Sequence, residues 1–120
     1  MPKIYWMLAY NIKEGRAQEY QEFLKSKAFR KVCAEIEKET GIRYVETYGT
    51  ILPSSAAQGD YDVYDFWEMP NHGSLDKIRK SPAMAKLVEI SYKYSDPRPV
   101  KSVLLRKSSD IKVMYEPKKK

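Results

Sequence analysis

Nine of the fifteen aromatic residues in this 120-residue chain fall in three short runs of strand character, at 4–12, 42–52 and 61–69, interleaved with two helical stretches. A fourth run at 100–106 completes the order β, α, β, β, α, β. The first run, Ile4-Tyr5-Trp6-Met7-Leu8-Ala9-Tyr10, is apolar on both of its alternating faces. A strand of that kind needs cover on both sides, and one layer of helices covers only one. In a chain this short the second cover is expected to be another copy of the chain.

The first strand is expected over Ile4 to Ile12. Gly15 then leads into a long helix ending near Thr40, with Ala17, Tyr20, Leu24, Ala28, Val32 and Ile36 as its apolar stripe. Spacing by fours drifts around a helix of 3.6 residues per turn, which predicts a bend or break near Ser26. Gly41 is the expected C-cap. A second strand, Ile42 to Leu52, sets Tyr44, Glu46 and Tyr48 on one face and Val45, Thr47 and Ile51 on the other. The stretch from Ser54 to Asp60 reads as a hairpin loop. In the third strand, Tyr61 to Met69, Val63, Asp65 and Trp67 alternate with Asp62, Tyr64, Phe66 and Glu68.

A broken helix follows, with Ser74 and Ser81 as expected N-caps, Pro82 as a first helical residue, and Leu75, Ile78, Met84, Leu87 and Val88 directed at the sheet. Asp96-Pro97-Arg98-Pro99 ends it ahead of the fourth strand. Ile111, Val113 and Tyr115 alternate once more and predict a short edge strand. With no solenoid repeat and no dividing linker, a single domain over 1–120 is expected, its core at about 3–107 and a C-terminal extension at 108–120.

A formal charge of +6 invites a nucleic-acid partner, yet half of it resides in Lys118, Lys119 and Lys120. The rest is spread over mixed-sign surfaces rather than gathered in a stripe, and the third strand is rich in aspartate, so nucleic acid is disfavoured. No apolar run has the length of a membrane span and no cleavable signal pattern opens the chain, so a cytoplasmic protein without a membrane partner is expected. Cys33 and His72 are the only residues of their kinds, which excludes an internal disulfide, a thiolate cage and a multi-histidine metal site. No P-loop, dinucleotide-binding glycine fingerprint, Ser-His-Asp spacing or EF-hand pattern is present. Neither a metal nor a cofactor is expected.

Three titratable residues stand out as catalytic candidates. Glu46 and Asp65 each interrupt a strand among aromatics, where burial would raise a carboxyl pKa into a range suited to proton transfer; the duller account is an edge or interface ion pair with Arg43 or Arg106. His72, before the second helical stretch, has a pKa suited to neutral pH, or is a solvated loop residue beside Gly73. Trp67, with Tyr10, Tyr44, Tyr48 and Tyr64, supplies candidate walls for a ligand pocket between sheet and helices, or core packing alone.

The doubly apolar first strand, the Asp65-Phe66-Trp67-Glu68 run and the broken helix carrying Lys80-Ser81-Pro82-Ala83-Met84 together resemble the dimeric α+β barrel superfamily, over about residues 3 to 107. That resemblance implies an α+β, ferredoxin-like βαββαβ fold with an antiparallel sheet, whose copies pair face to face as a barrel. It also implies kinship with cofactor-free antibiotic-biosynthesis monooxygenases, small isomerases and stress-responsive barrel proteins. The haem-degrading branch is similar in having a tryptophan at the place of Trp67, but its axial histidine falls at Val88 and its asparagine has only Asn11 as a counterpart, so haem is disfavoured. The expectation is a homodimer, or an assembly of dimers, that binds a small molecule as a cofactor-independent monooxygenase or isomerase-like enzyme on an aromatic or polyketide-like compound. The alternative is a noncatalytic stress-response or interaction barrel.

Overall fold

A computed structural model describes residues 3–50, 61–96 and 101–111. Four strands, β1 (Ile4–Tyr10), β2 (Arg43–Gly49), β3 (Val63–Met69) and β4 (Lys101–Leu105), form one antiparallel sheet in the order β2-β3-β1-β4. Four helices, α1 (Ala17–Leu24), α2 (Lys27–Thr40), α3 (Gly73–Arg79) and α4 (Pro82–Ser91), fill the two crossovers. The fold is the expected α+β, ferredoxin-like one, with β1 and β3 central because each crossover returns the chain beside a strand already laid down.

The first helical stretch breaks where its stripe drifts. Ser26 takes an extended conformation and its hydroxyl accepts the Phe29 N–H, starting a new helix whose apolar side, Phe29, Val32 and Ile36, is buried. Gly41 ends that helix at φ 79°, a left-handed conformation in which a side chain would be strained. Ser81 caps α4 in the same manner, accepting the Met84 N–H, with Pro82 as the first helical residue. Ser74 does not cap: it is buried one residue inside α3, whose cap position is His72 without a side-chain bond.

Cross-strand register sorts the side chains into two faces. Ile4, Trp6, Leu8 and Tyr10 of β1 lie with Met69, Trp67 and Asp65 of β3 on the helix side, where Phe29, Val32 and Ile36 of α2 and Ala83 and Leu87 of α4 complete the core. The other face carries Tyr5, Met7, Tyr64, Phe66, Val103 and Leu105, all at least partly exposed, and no described helix covers it.

The second strand departs from its expected alternation. A bulge between Tyr44 and Glu46 keeps Tyr44 opposite Trp67 but sets Glu46 opposite Phe66 and Thr47 opposite Asp65. Tyr44 and Thr47 therefore share the helix face, while Glu46 and Tyr48 turn to the other. The strands also end earlier than expected: Ile12 makes only an isolated bridge with Ser95, and Ile111 follows a short 3-10 turn at Ser108–Asp110. The expected hairpin loop and the further edge strand through Val113 and Tyr115 lie outside the described residues.

Candidate functional site

Between the helix face of the sheet and helices α1, α2 and α4 lies a cavity of about 290 Å³. Its walls are mainly apolar: Trp6 and Leu8 from β1, Trp67 from β3, Phe29 from α2, Leu87 and Val88 from α4. Tyr92 and Asp96, both exposed, mark its open side. Tyr20 and Phe23, which also line it, cluster with Tyr94, the ring centroids 5.6–6.4 Å apart.

Asp65 is the one buried carboxyl group among the described residues, 8% exposed, and it lines this cavity. The Tyr10 hydroxyl donates to it, 2.9 Å from Oδ1 and 3.0 Å from Oδ2, and the Thr47 hydroxyl donates to Oδ1 at 2.7 Å. With those protons committed, Tyr44 donates in turn to Thr47 Oγ1 at 2.6 Å, and the Tyr20 hydroxyl donates to that of Tyr10. Four hydroxyl groups thus converge on one carboxyl through two chains, Tyr20–Tyr10–Asp65 and Tyr44–Thr47–Asp65. The Thr47 proton serves Oδ1, and the Tyr10 proton is shared between Oδ1 and Oδ2.

Burial pushes Asp65 up to about 6 from its usual 3.8, and the hydrogen bonds from Thr47 and Tyr10 and the nearby Trp67 indole restrain the rise. Desolvation, reinforced by the Asp65 charge, also pushes the Tyr10 and Tyr20 hydroxyls far above the ordinary tyrosine range, so both remain protonated donors. Burial raises Tyr44 and Cys33 to about 12. Cys33 is thus a protonated thiol rather than a nucleophile at neutral pH. The Trp67 indole nitrogen is fully buried and has no hydrogen-bond partner among the described residues, although its N–H is near enough to Asp65 to favour the anion.

The structure brings together Tyr10, Asp65 and Trp67 of the residues singled out in the sequence, with Tyr44 joined to them through Thr47. Tyr44 also faces an adjacent cleft beside Cys33 and Arg43. Glu46, Tyr48 and Tyr64 lie on the opposite face of the sheet, outside the cavity. His72 is exposed beyond the end of β3, in a separate depression shared with Ile4, Arg106 and Asp110. The anticipated ion pair of Arg43 is with Glu68, not with Glu46 or Asp65: Glu68 Oε1 accepts from Arg43 at 2.7–2.8 Å and from Lys3 at 3.1 Å.

Thr47, Tyr20 and Trp6 belong to the site and were not singled out. Tyr20 is visible in the sequence only as one member of a helix stripe, and Thr47 reaches Asp65 only because of the bulge. No three His, Cys, Asp or Glu side chains among the described residues converge as a metal centre requires. No helix among them is long and apolar enough to cross a membrane.

No protein-family model and no curated protein matches the chain. Solved structures do resemble it. A dimeric protein of unknown function with a ferredoxin-like fold from Bacteroides fragilis superposes with a TM-score of 0.58 at 10% identity, covering 88% of this chain and 96% of that one. A NIPSNAP family protein of unknown function from Agrobacterium tumefaciens gives a TM-score of 0.62 at 8% identity, with 88% of each chain covered. A DABB family protein with a ferredoxin-like fold from Mesorhizobium loti gives 0.59 at 13% identity, covering 88% of this chain and 96% of that one. At such identities the likeness is one of fold: this chain has the ferredoxin-like architecture found in the DABB, stress-responsive barrel proteins and in the NIPSNAP proteins.

Proposed function

We propose that this protein is a single-domain, small-molecule-binding homodimer that acts on a compact aromatic or polyketide-like compound by proton transfer through Asp65. The observation that carries this is a carboxyl group, 8% exposed, facing an apolar cavity of about 290 Å³. Apolar walls with a few directed polar groups are what a small-ligand site requires, and a carboxyl held near 6 exchanges protons readily at neutral pH. Asp65 as carboxylate takes a proton from an acidic O–H or C–H bond of the ligand, whose electron pair stays on the ligand, and returns it at a second position. An isomerase-like reaction needs that transfer alone. A monooxygenase needs dioxygen as oxidant besides. A noncatalytic barrel would be expected to fill its core, so the cavity and its polar cluster favour the ligand-binding role.

Pairing of two copies through the uncovered sheet face is part of the same proposal. Tyr5, Met7, Phe66, Val103 and Leu105 form a contiguous apolar surface there, and one protein of this fold is described as dimeric. Phe66→Glu puts a charge at the centre of that surface and should shift sedimentation from dimer to monomer; a monomeric wild-type chain at micromolar concentration contradicts the pairing. For the cavity, isothermal titration calorimetry with naphthalene and 2-naphthol is expected to show binding that Val88→Trp, filling the space from α4, abolishes. Absence of binding by both probes contradicts the site.

A further inference from the structure

Seven of the fifteen residues that line the cavity are aromatic, among them Trp6, Tyr20, Phe29, Trp67 and Tyr92. The charged side chains in that lining are two aspartates, Asp65 in the wall and Asp96 at the mouth. Although the chain has a net charge of +6, no lysine, arginine or histidine among the described residues joins them. Lys13 comes near the mouth only to donate to the Tyr92 carbonyl at 2.7 Å, outside the lining. The groups that feel the Asp65 charge are Tyr10 on β1, Tyr20 on α1, Tyr44 on β2 and Cys33 on α2, and all four stay protonated and neutral. Helix α4 adds no titratable group to the lining, and Asp96 beyond it has the same sign as Asp65. Asp65 therefore ionises in an apolar wall with hydroxyl donors but no counter-ion, which is costly.

We infer that the cavity is a cation site, whose ligands are compact aromatic compounds bearing a protonated amine: the ammonium supplies the counter-charge that Asp65 lacks, and the aromatic walls take both the hydrocarbon body and the charge. An aromatic ring presents a negative face to a cation, and the attraction strengthens where water is excluded. Two carboxylates without a base repel an anionic ligand from the same space. A neutral ligand gains only from burying its apolar surface. This assignment rests on the cavity being the ligand site proposed above and names the class of aromatic compound it selects.

The test compares three probes built on one skeleton by isothermal titration calorimetry at pH 8: 2-naphthylmethylamine as the cation, 2-naphthylmethanol as the neutral form and 2-naphthoate as the anion. The amine is expected to bind about tenfold or more tightly than the alcohol, and the naphthoate more weakly than either. Asp65→Asn, checked for folding by thermal melting, should bring the amine close to the alcohol. Binding is also coupled to protonation. At pH 6 about half of Asp65 holds a proton, and a cation beside it drives that proton off, up to about half a proton per site, whereas the alcohol releases none. Calorimetry in two buffers of different ionisation enthalpy reads this release, and together with the wild-type series it decides should Asp65→Asn not fold. An alcohol or naphthoate that binds as tightly as the amine, an absence of proton release, an amine preference kept in Asp65→Asn, or amine binding that survives Val88→Trp overturns the cation assignment while leaving the cavity a ligand site. Failure of all three probes to bind removes the ligand site and the cation assignment with it.

Discussion

Replacing Asp65 with asparagine should make the protein more stable relative to wild type at pH 8 than it does at pH 4. The carboxyl titrates near 3.8 in an open chain and at about 6 in its buried position. Between those values the native state holds a proton that the unfolded chain has lost, so wild-type stability falls as pH rises through this window. The penalty is absent below about 3.8 and complete above about 6. With about 1.4 kcal/mol for each tenfold difference in proton affinity, the gap amounts to about 3 kcal/mol. Asparagine keeps an acceptor for Thr47 and Tyr10 but adds two amide hydrogens in an apolar wall, a cost of about 1–3 kcal/mol that is the same at every pH. The informative quantity is therefore the change in the difference between variant and wild type from pH 4 to pH 8. Urea unfolding of both proteins at one fixed chain concentration measures it, because an associating protein has a concentration-dependent stability. Glu68 titrates in both proteins alike and cancels. A shift of about 3 kcal/mol corresponds to roughly 10 °C in melting temperature for a domain of this size. A difference that stays constant from pH 4 to pH 8 would falsify the claim that Asp65 is buried as a strained carboxylate.

Ser81→Ala removes both the cap of the Met84 N–H, at 3.0 Å, and the hydroxyl bond to Glu39 at 2.5 Å, so a loss of about 1–2 kcal/mol is expected in urea unfolding; an unchanged midpoint would mean that α4 needs no cap. Glu68→Gln removes an ion cluster whose partners Lys3 and Arg43 are half exposed, so the expected loss at neutral pH is under about 1 kcal/mol. Desolvation opposes ionisation of Glu68, but the bonds from Arg43 and Lys3 outweigh it and lower its pKa from 4.5; its contribution is therefore present above that value and lost on acidification, and a Gln variant equally destabilised at pH 2 and pH 7 contradicts it.

The strand order, both helix breaks and the alternation that sets Asp65 and Trp67 on one side of β3 were legible because each follows from residues close together in the chain; which face of the sheet that side is depends on cross-strand register and was not. Ser26 and Ser81 cap helices through their own hydroxyls, Gly41 accepts a left-handed turn, and the alternation of β3 has a period of two without interruption. His72 was a candidate for its chemistry alone, and nothing local placed it near a carboxyl; it lies in another depression. Tyr20 reaches Tyr10 only because α1 ends at a break that lets it lie over the end of β1, a relation between segments rather than within one.

Thr47 shows most clearly what local reading misses. If β2 continued in the register that sets Tyr44 opposite Trp67, Glu46 would face Asp65 on the helix side, with two carboxyl groups meeting in an apolar wall. Such a pair cannot both be ionised at modest cost, and the second proton would have to be held there. The bulge moves Glu46 to the open face and brings Thr47 opposite Asp65. One extra residue thereby replaces a like-charge pair with a donor and an acceptor, and it extends the donor chain to Tyr44. The site depends on that single irregularity: without it Asp65 would lack the Thr47 hydroxyl that donates to Oδ1 and would face a second carboxyl group instead.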